Sequence, residues 1–191
     1  NPNVTAKVSR QVAAKFATHM VSTLANKCRR VGRNLTLEAK YTKPTDELLN
    51  LWNHQVEMSE VLTDRAMTIS ASEPHRAVML VMAARLDATV ARNADTMYNS
   101  AEEFLGDLRV VQRSLAASGA VRAAYGPVQT IIWQTETFGF HMVETEFRQH
   151  SVVHTRALDD IREHGIHGEL APMTREVLDT FRALGSIQKR F

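Results

Sequence analysis

The chain has 191 residues, enough for one domain or a large part of one, and its 44% hydrophobic and 23% charged residues exclude a disordered tail. With only 8 Gly and 5 Pro, collagen, low-complexity and loop-rich all-β architectures are set aside in favour of helix. Twenty-three Lys plus Arg against 21 Asp plus Glu leave a net charge of +2, too small an excess for a protein that lives on nucleic-acid phosphates, and one Cys excludes an internal disulfide or a multi-Cys metal site.

The first predicted element is a long helix from Asn3 to Val31. Val4, Val8, Val12, Phe16, Met20, Leu24 and Cys28 recur every fourth residue, so the apolar stripe winds slowly around the helix. Asn3 is the expected N-cap, and Gly32 after Arg29 and Arg30 the expected stop. A short alternation at Leu35, Leu37 and Ala39 precedes a helix that starts at Pro44 to Asp46 and carries Leu48, Leu49, Trp52, Val56 and Met58. Ser72 is expected to cap a helix from Glu73 to Asn93, with Pro74 in its first turn. This helix is apolar nearly all round, which predicts a central, buried position. The run Ala77 to Ala84, closed by Arg76 and Arg85, is the longest apolar stretch and far short of the about 20 residues a membrane span needs.

Ser100 with Glu103 forms a capping-box pattern ahead of Phe104, Leu105, Leu108, Val111 and Leu115. Gly126-Pro127 is expected to open another helix, with Val128, Ile131 and Ile132 on one face. The period then switches to two: Phe138 to Arg148 alternates, is rich in β-branched and aromatic residues, and predicts a strand over about 139–148. A helix from Ser151 to Glu163, ended by Gly165, and one from Pro172 through Leu184 complete the chain. The fold class expected is mainly α, about six helices and one strand. A lone strand cannot satisfy its own backbone groups, so the chain reads as a piece of a larger α/β or α-rich protein that supplies the missing strands.

Three groups of residues could carry chemistry. Glu146, His150 and His154 are spaced by four, with His141 nearby, and would form a metal-binding column on an uninterrupted helix; a strand-to-helix junction near 148–150 breaks that column and leaves the histidines on a surface or interface helix. Arg148 sits where the alternating segment ends and a helix begins. In parallel α/β proteins such strand ends carry binding and catalytic groups, and a guanidinium there can grip phosphate or carboxylate bidentately. Asn1-Pro2-Asn3-Val4-Thr5 is a polar loop entering a helix, a place that favours an anion or is simply a cap. Trp52, His54 and Trp133 read as core or interface residues, and the eight methionines as core filler. No GxGxxG, GxxxxGK[ST], HExxH or GxSxG motif declares an enzyme class.

Two of these segments resemble one family. Asn1 to Ala6 is similar to the end of the GGDRDGNPNVTA motif of bacterial phosphoenolpyruvate carboxylases. Glu146-Phe147-Arg148-Gln149-His150-Ser151, followed by His154, Thr155, Ala157 and Leu158, resembles that family's (D/E)-x-R-Q-x-S segment in an actinobacterial-like version. His75-Arg76 to Arg85-Leu86 and Arg175 to Thr180 continue the likeness, which covers all of 1–191 as a single internal segment. The resemblance implies a helical elaboration of an eight-stranded, TIM-like α/β barrel, usually tetrameric and cytoplasmic. It implies an enzyme that joins phosphoenolpyruvate and bicarbonate into oxaloacetate and phosphate with Mg²⁺ or Mn²⁺.

Arg148 would then be catalytic and substrate-binding, and Asn1 and Asn3 substrate-binding. The metal ligands, the catalytic His and the Gly-rich loop would lie outside this segment, so the segment alone should be inactive. The remaining polypeptide and like subunits are the expected partners, with no nucleic acid and no membrane. The alternative reading is a non-catalytic helical scaffold or interaction domain.

Overall fold

The computed structural model describes residues 4–189, apart from the side chain of residue 65. They divide into two compact units, Thr18–Phe140 and the described parts of Asn1–Ala17 with His141–Phe191. No strand occurs among the described residues.

The larger unit takes in most of α1 (Ala6–Asn34) and the helices α2 (Asp46–Met58), α3 (Glu60–Ser70), α4 (Pro74–Ala91) and α5 (Ala101–Ala117). A short α6 (Val121–Ala123), a π-helical turn (Ala124–Val128) and α7 (Gln129–Phe138) follow. α4 is the centre. His75, Ala77, Val78, Met79, Val81, Met82, Ala83 and Leu86 are all buried on it, as its all-round apolar composition predicts. It packs against α2, α3 and α5. From α1, Met20, Leu24, Cys28 and Val31 are buried, whereas Val8 and Val12 at the start of the same every-fourth-residue stripe are exposed. Burial pushes the Cys28 thiol far above its ordinary range, so it packs as a small hydrophobe and is no nucleophile.

Gly32 does not end α1, which runs on to Asn34. A Cβ there would lie 3.2 Å from Leu80 Cδ2 and 3.3 Å from Met79 Cβ, so the glycine lets α1 approach α4 closely. Ser72 is likewise not a cap: its hydroxyl donates to the Ile69 carbonyl, and α4 begins at Pro74 without a side-chain cap. α3, which the apolar pattern did not predict, is capped by Ser59, whose Oγ accepts from the Leu62 N–H at 3.3 Å. At Gly126-Pro127 the chain is already helical. Pro127 has no N–H to give, and the Gln129 N–H reaches back five residues to the Ala124 carbonyl, so the proline widens a helix rather than starting one.

The best-connected side chain of this unit is a charged one. Arg85 on α4 is 2% exposed. Its Nη1 donates to Asp107 Oδ2 at 3.1 Å, its Nη2 to Glu103 Oε1, and its Nε to the Thr96 carbonyl at 3.3 Å. The guanidinium carbon stacks 3.7 Å from the Tyr98 ring centroid, and the Tyr98 hydroxyl donates to the same Asp107 oxygen at 2.8 Å. The capping box of α5 feeds this network. Ser100 Oγ accepts from the Glu103 N–H, and Glu103 Oε2 accepts from the Asn99 N–H, one residue earlier than the usual reciprocal bond. Burial pushes the Asp107 carboxyl up, against the opposing pull of Tyr98 and Arg85.

The smaller unit holds the first turns of α1 with α8 (Ser151–His164) and α9 (Pro172–Gln188). The Ala6 N–H donates to Glu176 Oε1 at 2.8 Å, tying α1 to α9. Asp160 on α8 accepts from the Ala171 N–H at 2.9 Å and so caps α9 from outside. Gly165 has φ 77°, and a Cβ on Gly168 would fall 2.0 Å from the His164 carbonyl oxygen, so both glycines are required by the turn between α8 and α9. Gly185 lies inside α9, which passes the predicted end at Leu184.

The predicted strand over 139–148 is overturned. Gly139 (φ 52°) and Met142 (φ 73°) break the pleat at its start, and the segment joins no ladder among the described residues. Val143 to Arg148 are all exposed, so neither parity of the alternation is buried. The period-two pattern is present, but no pairing strand for it is found among the described residues.

Two predictions follow from the larger unit. Arg85→Met leaves Asp107 buried beside an apolar side chain and should cost about 3–5 kcal/mol in urea denaturation, with Asp107→Asn recovering part of it; a loss below about 1 kcal/mol would contradict the role given to Arg85. His75 is fully buried, its Nε2 2.9 Å from Ser114 Oγ, and burial lowers its pKa from 6.5 to about 4. The unfolded chain therefore takes up a proton that the folded chain refuses. Stability should be flat above about pH 6.5 and fall by on the order of 3 kcal/mol as the pH drops to about 4. His75→Phe should flatten that decline, and an unchanged slope would show that another group causes it.

Candidate functional site

Arg148 lies in the smaller unit, on the irregular segment leading into α8. His150 is the N-cap of that helix: its Nδ1 accepts from the Val152 N–H at 3.2 Å. The cap requires Nδ1 to be unprotonated and fixes where the chain turns, so Arg148 stands two residues outside the helix. Its side chain is 85% exposed. Among the described residues the carboxylate paired with it is Glu146, whose Oε2 accepts from the Arg148 Nε at 2.7 Å and also meets Nη2 of the same guanidinium. Nη1 has no partner among the described residues. Glu146 thus occupies the side edge of the fork, and the end edge stays open to an oxyanion.

Arg148 also lines a cavity of about 130 Å³, together with Phe147, Gln149, His154, Val177 and Phe181 among others. The His154 ring sits 5.9 Å from that of Phe181. The walls are chiefly apolar, and Arg148 is the cation among the residues that line it. This arrangement can hold a small anion with an apolar portion, the charge on Arg148 and the carbon skeleton against Phe147 and Phe181.

Of the residues singled out in the sequence, Arg148 is exposed on the irregular segment before α8 and lines the cavity. Asn1 and Asn3 lie outside the described residues. Glu146, His150 and His154 form no column: Glu146 holds Arg148, His150 caps α8, and His154 packs on Phe181. Among the described residues no three His, Cys, Asp or Glu side chains are placed to hold a metal ion. Sequence reasoning missed the contribution of α9 to the cavity. Its signal was present in Val177, Phe181 and Leu184, which recur at i, i+4 and i+7 and mark one helix face. No described helix is long and apolar enough to cross a membrane.

Comparison with known proteins covers most of the chain. A family model described as phosphoenolpyruvate carboxylase matches residues 1–176. A phosphoenolpyruvate carboxylase of Nitrosomonas eutropha is 28% identical over 177 residues, covering 85% of this chain and 18% of the relative. One from Xanthomonas oryzae pv. oryzae is 37% identical over 87 residues, 46% of this chain and 10% of the relative. One from Synechocystis is 25% identical over 181 residues, 86% of this chain and 17% of the relative. The chain spans less than a fifth of the length of these relatives. With the match running through both the polar N-terminal motif and the Arg148 segment, the chain belongs to the phosphoenolpyruvate carboxylase family.

Proposed function

We propose that this chain is an internal segment of an enzyme that converts phosphoenolpyruvate and bicarbonate to oxaloacetate and phosphate, and that Arg148 binds the phosphate. The observation that carries this reading is the open edge of the Arg148 guanidinium beside a small apolar cavity, in a chain of this family. The barrel strands, the metal ligands and the acid–base groups come from polypeptide outside the chain, and the segment is inactive alone. The whole protein is read as a cytoplasmic homo-oligomer that needs Mg²⁺ or Mn²⁺.

Arg148 contributes through charge and shape. As bicarbonate oxygen attacks phosphorus and the bond to the enol oxygen breaks, negative charge is carried on the equatorial phosphate oxygens. A fixed guanidinium at those oxygens stabilises that arrangement more than the ground state. Two N–H groups on one edge match two oxygens of a phosphate, which a lysine ammonium cannot reproduce. Asn1 and Asn3 belong to the same reading as substrate-binding groups.

In the full-length enzyme, Arg148→Ala should lower turnover about 10²–10³-fold, and Arg148→Lys should recover only a small part of it. Steady-state kinetics on folded protein, checked by thermal melt, measure this. A folded Arg148→Ala enzyme with near-normal turnover and phosphoenolpyruvate dependence would remove the assignment.

A further inference from the structure

The pairing of Arg148 with Glu146 has a direction that the family assignment does not supply. Residues two apart on a non-helical backbone project to the same side, so Glu146 and Arg148 meet without any folding of the chain between them. The carboxylate takes Nε and Nη2 through one oxygen and leaves Nη1 unpartnered. An arginine side chain has four rotatable bonds, and an exposed one samples many rotamers, each of which a ligand must then restrict. Anchoring the side edge of the fork removes most of that freedom and aims the end edge outward. The neighbours offer no second anchor: Gln149 Oε1 accepts from the His150 N–H, and His150 Nδ1 from the Val152 N–H.

We propose that Glu146 is a positioning residue for Arg148, holding its guanidinium so that the end edge meets the substrate phosphate. The inference rests on the reading of Arg148 as the phosphate-binding group. Two effects of Glu146 oppose each other. Its negative charge repels an approaching phosphate, and its hydrogen bonds pre-order the fork. An exposed ion pair contributes little stability, so its loss should leave the fold intact and appear in substrate binding. The pre-ordering is the larger effect here, because the carboxylate faces the edge that the phosphate does not use.

The test uses full-length enzyme with four variants: Glu146→Gln, Glu146→Asp, Arg148→Ala, and Glu146→Gln combined with Arg148→Ala. Glu146→Gln keeps the side-chain shape and should raise the KM for phosphoenolpyruvate about ten-fold, with a smaller fall in kcat. Glu146→Asp keeps the charge and should recover part of the loss in KM. In the Arg148→Ala background, Glu146→Gln should have no further effect, since a residue acting through Arg148 has nothing left to act on. An unchanged or lower KM in Glu146→Gln, while Arg148→Ala is crippled, would overturn the positioning role and leave the phosphate assignment standing. Equal losses in both backgrounds would likewise overturn it. A near-normal Arg148→Ala enzyme would instead defeat the phosphate assignment, and the role of Glu146 with it.

Discussion

The larger unit depends on keeping one cation out of water. Arg85 projects from α4, the helix with the most buried residues among those described, where an unpaired charge would be prohibitive, and the surrounding structure is arranged to prevent that. Asp107 and Glu103 come from α5, the Thr96 carbonyl from the connection between α4 and α5, and the Tyr98 ring from the same connection. That connection contains no regular structure, and Arg92 at its start is left-handed (φ 61°). It holds its course because Arg85 and Thr89 bind it: the Tyr98 N–H donates to Thr89 Oγ1 at 2.9 Å, and Thr89 returns its hydroxyl to the Arg85 carbonyl. Tyr98 then stacks edge-on against Phe104, 5.2 Å between centroids, and the ion network passes into the apolar core. One arginine thus fixes the angle of two helices and the path of the chain between them.

Arg148 is the opposite case. It has one carboxylate instead of two, no aromatic ring over it among the described residues, and a side chain largely in water. A buried arginine whose three nitrogens all have partners leaves no room for a ligand, whereas an exposed one with an open edge does. The contrast is a physical reason to look for substrate at Arg148 and for rigidity at Arg85. The two kinds of arginine could not be told apart by residue type. They differ in what the local sequence brings near them: a capping box and a tyrosine for Arg85, a two-residue spacing to Glu146 for Arg148.

The helices were legible where period and cap agreed. α5 has Ser100 at its cap and apolar residues at helical spacing, and both are as expected; α8 is bounded by Ser151 and Gly165 as read. The sequence misled where one residue carries two meanings. Gly32 looks like a terminator but serves close packing, and Gly126-Pro127 looks like a start but widens a helix already under way. α3 was missed although Leu62, Ala66 and Ile69 stand at helical spacing, because the exposed Val61 and Met67 blur that face. The strand failed for a different reason: alternation states a tendency, and a strand needs a partner that these residues do not include. Around the candidate site, Arg148 was singled out from its motif and its contact with Glu146 follows from their two-residue spacing, while the α9 wall of the cavity depends on tertiary placement that no local pattern encodes.

The central claim is that Arg148 meets the substrate phosphate, and arginine-selective labelling of the full-length enzyme tests it most directly. Phenylglyoxal modification, read by peptide mass spectrometry, should label Arg148 readily in the free enzyme. Phosphoenolpyruvate should protect it, while Arg162 and Arg182, which are exposed on α8 and α9, keep their rates of labelling. Equal labelling of Arg148 with and without saturating phosphoenolpyruvate would contradict the account.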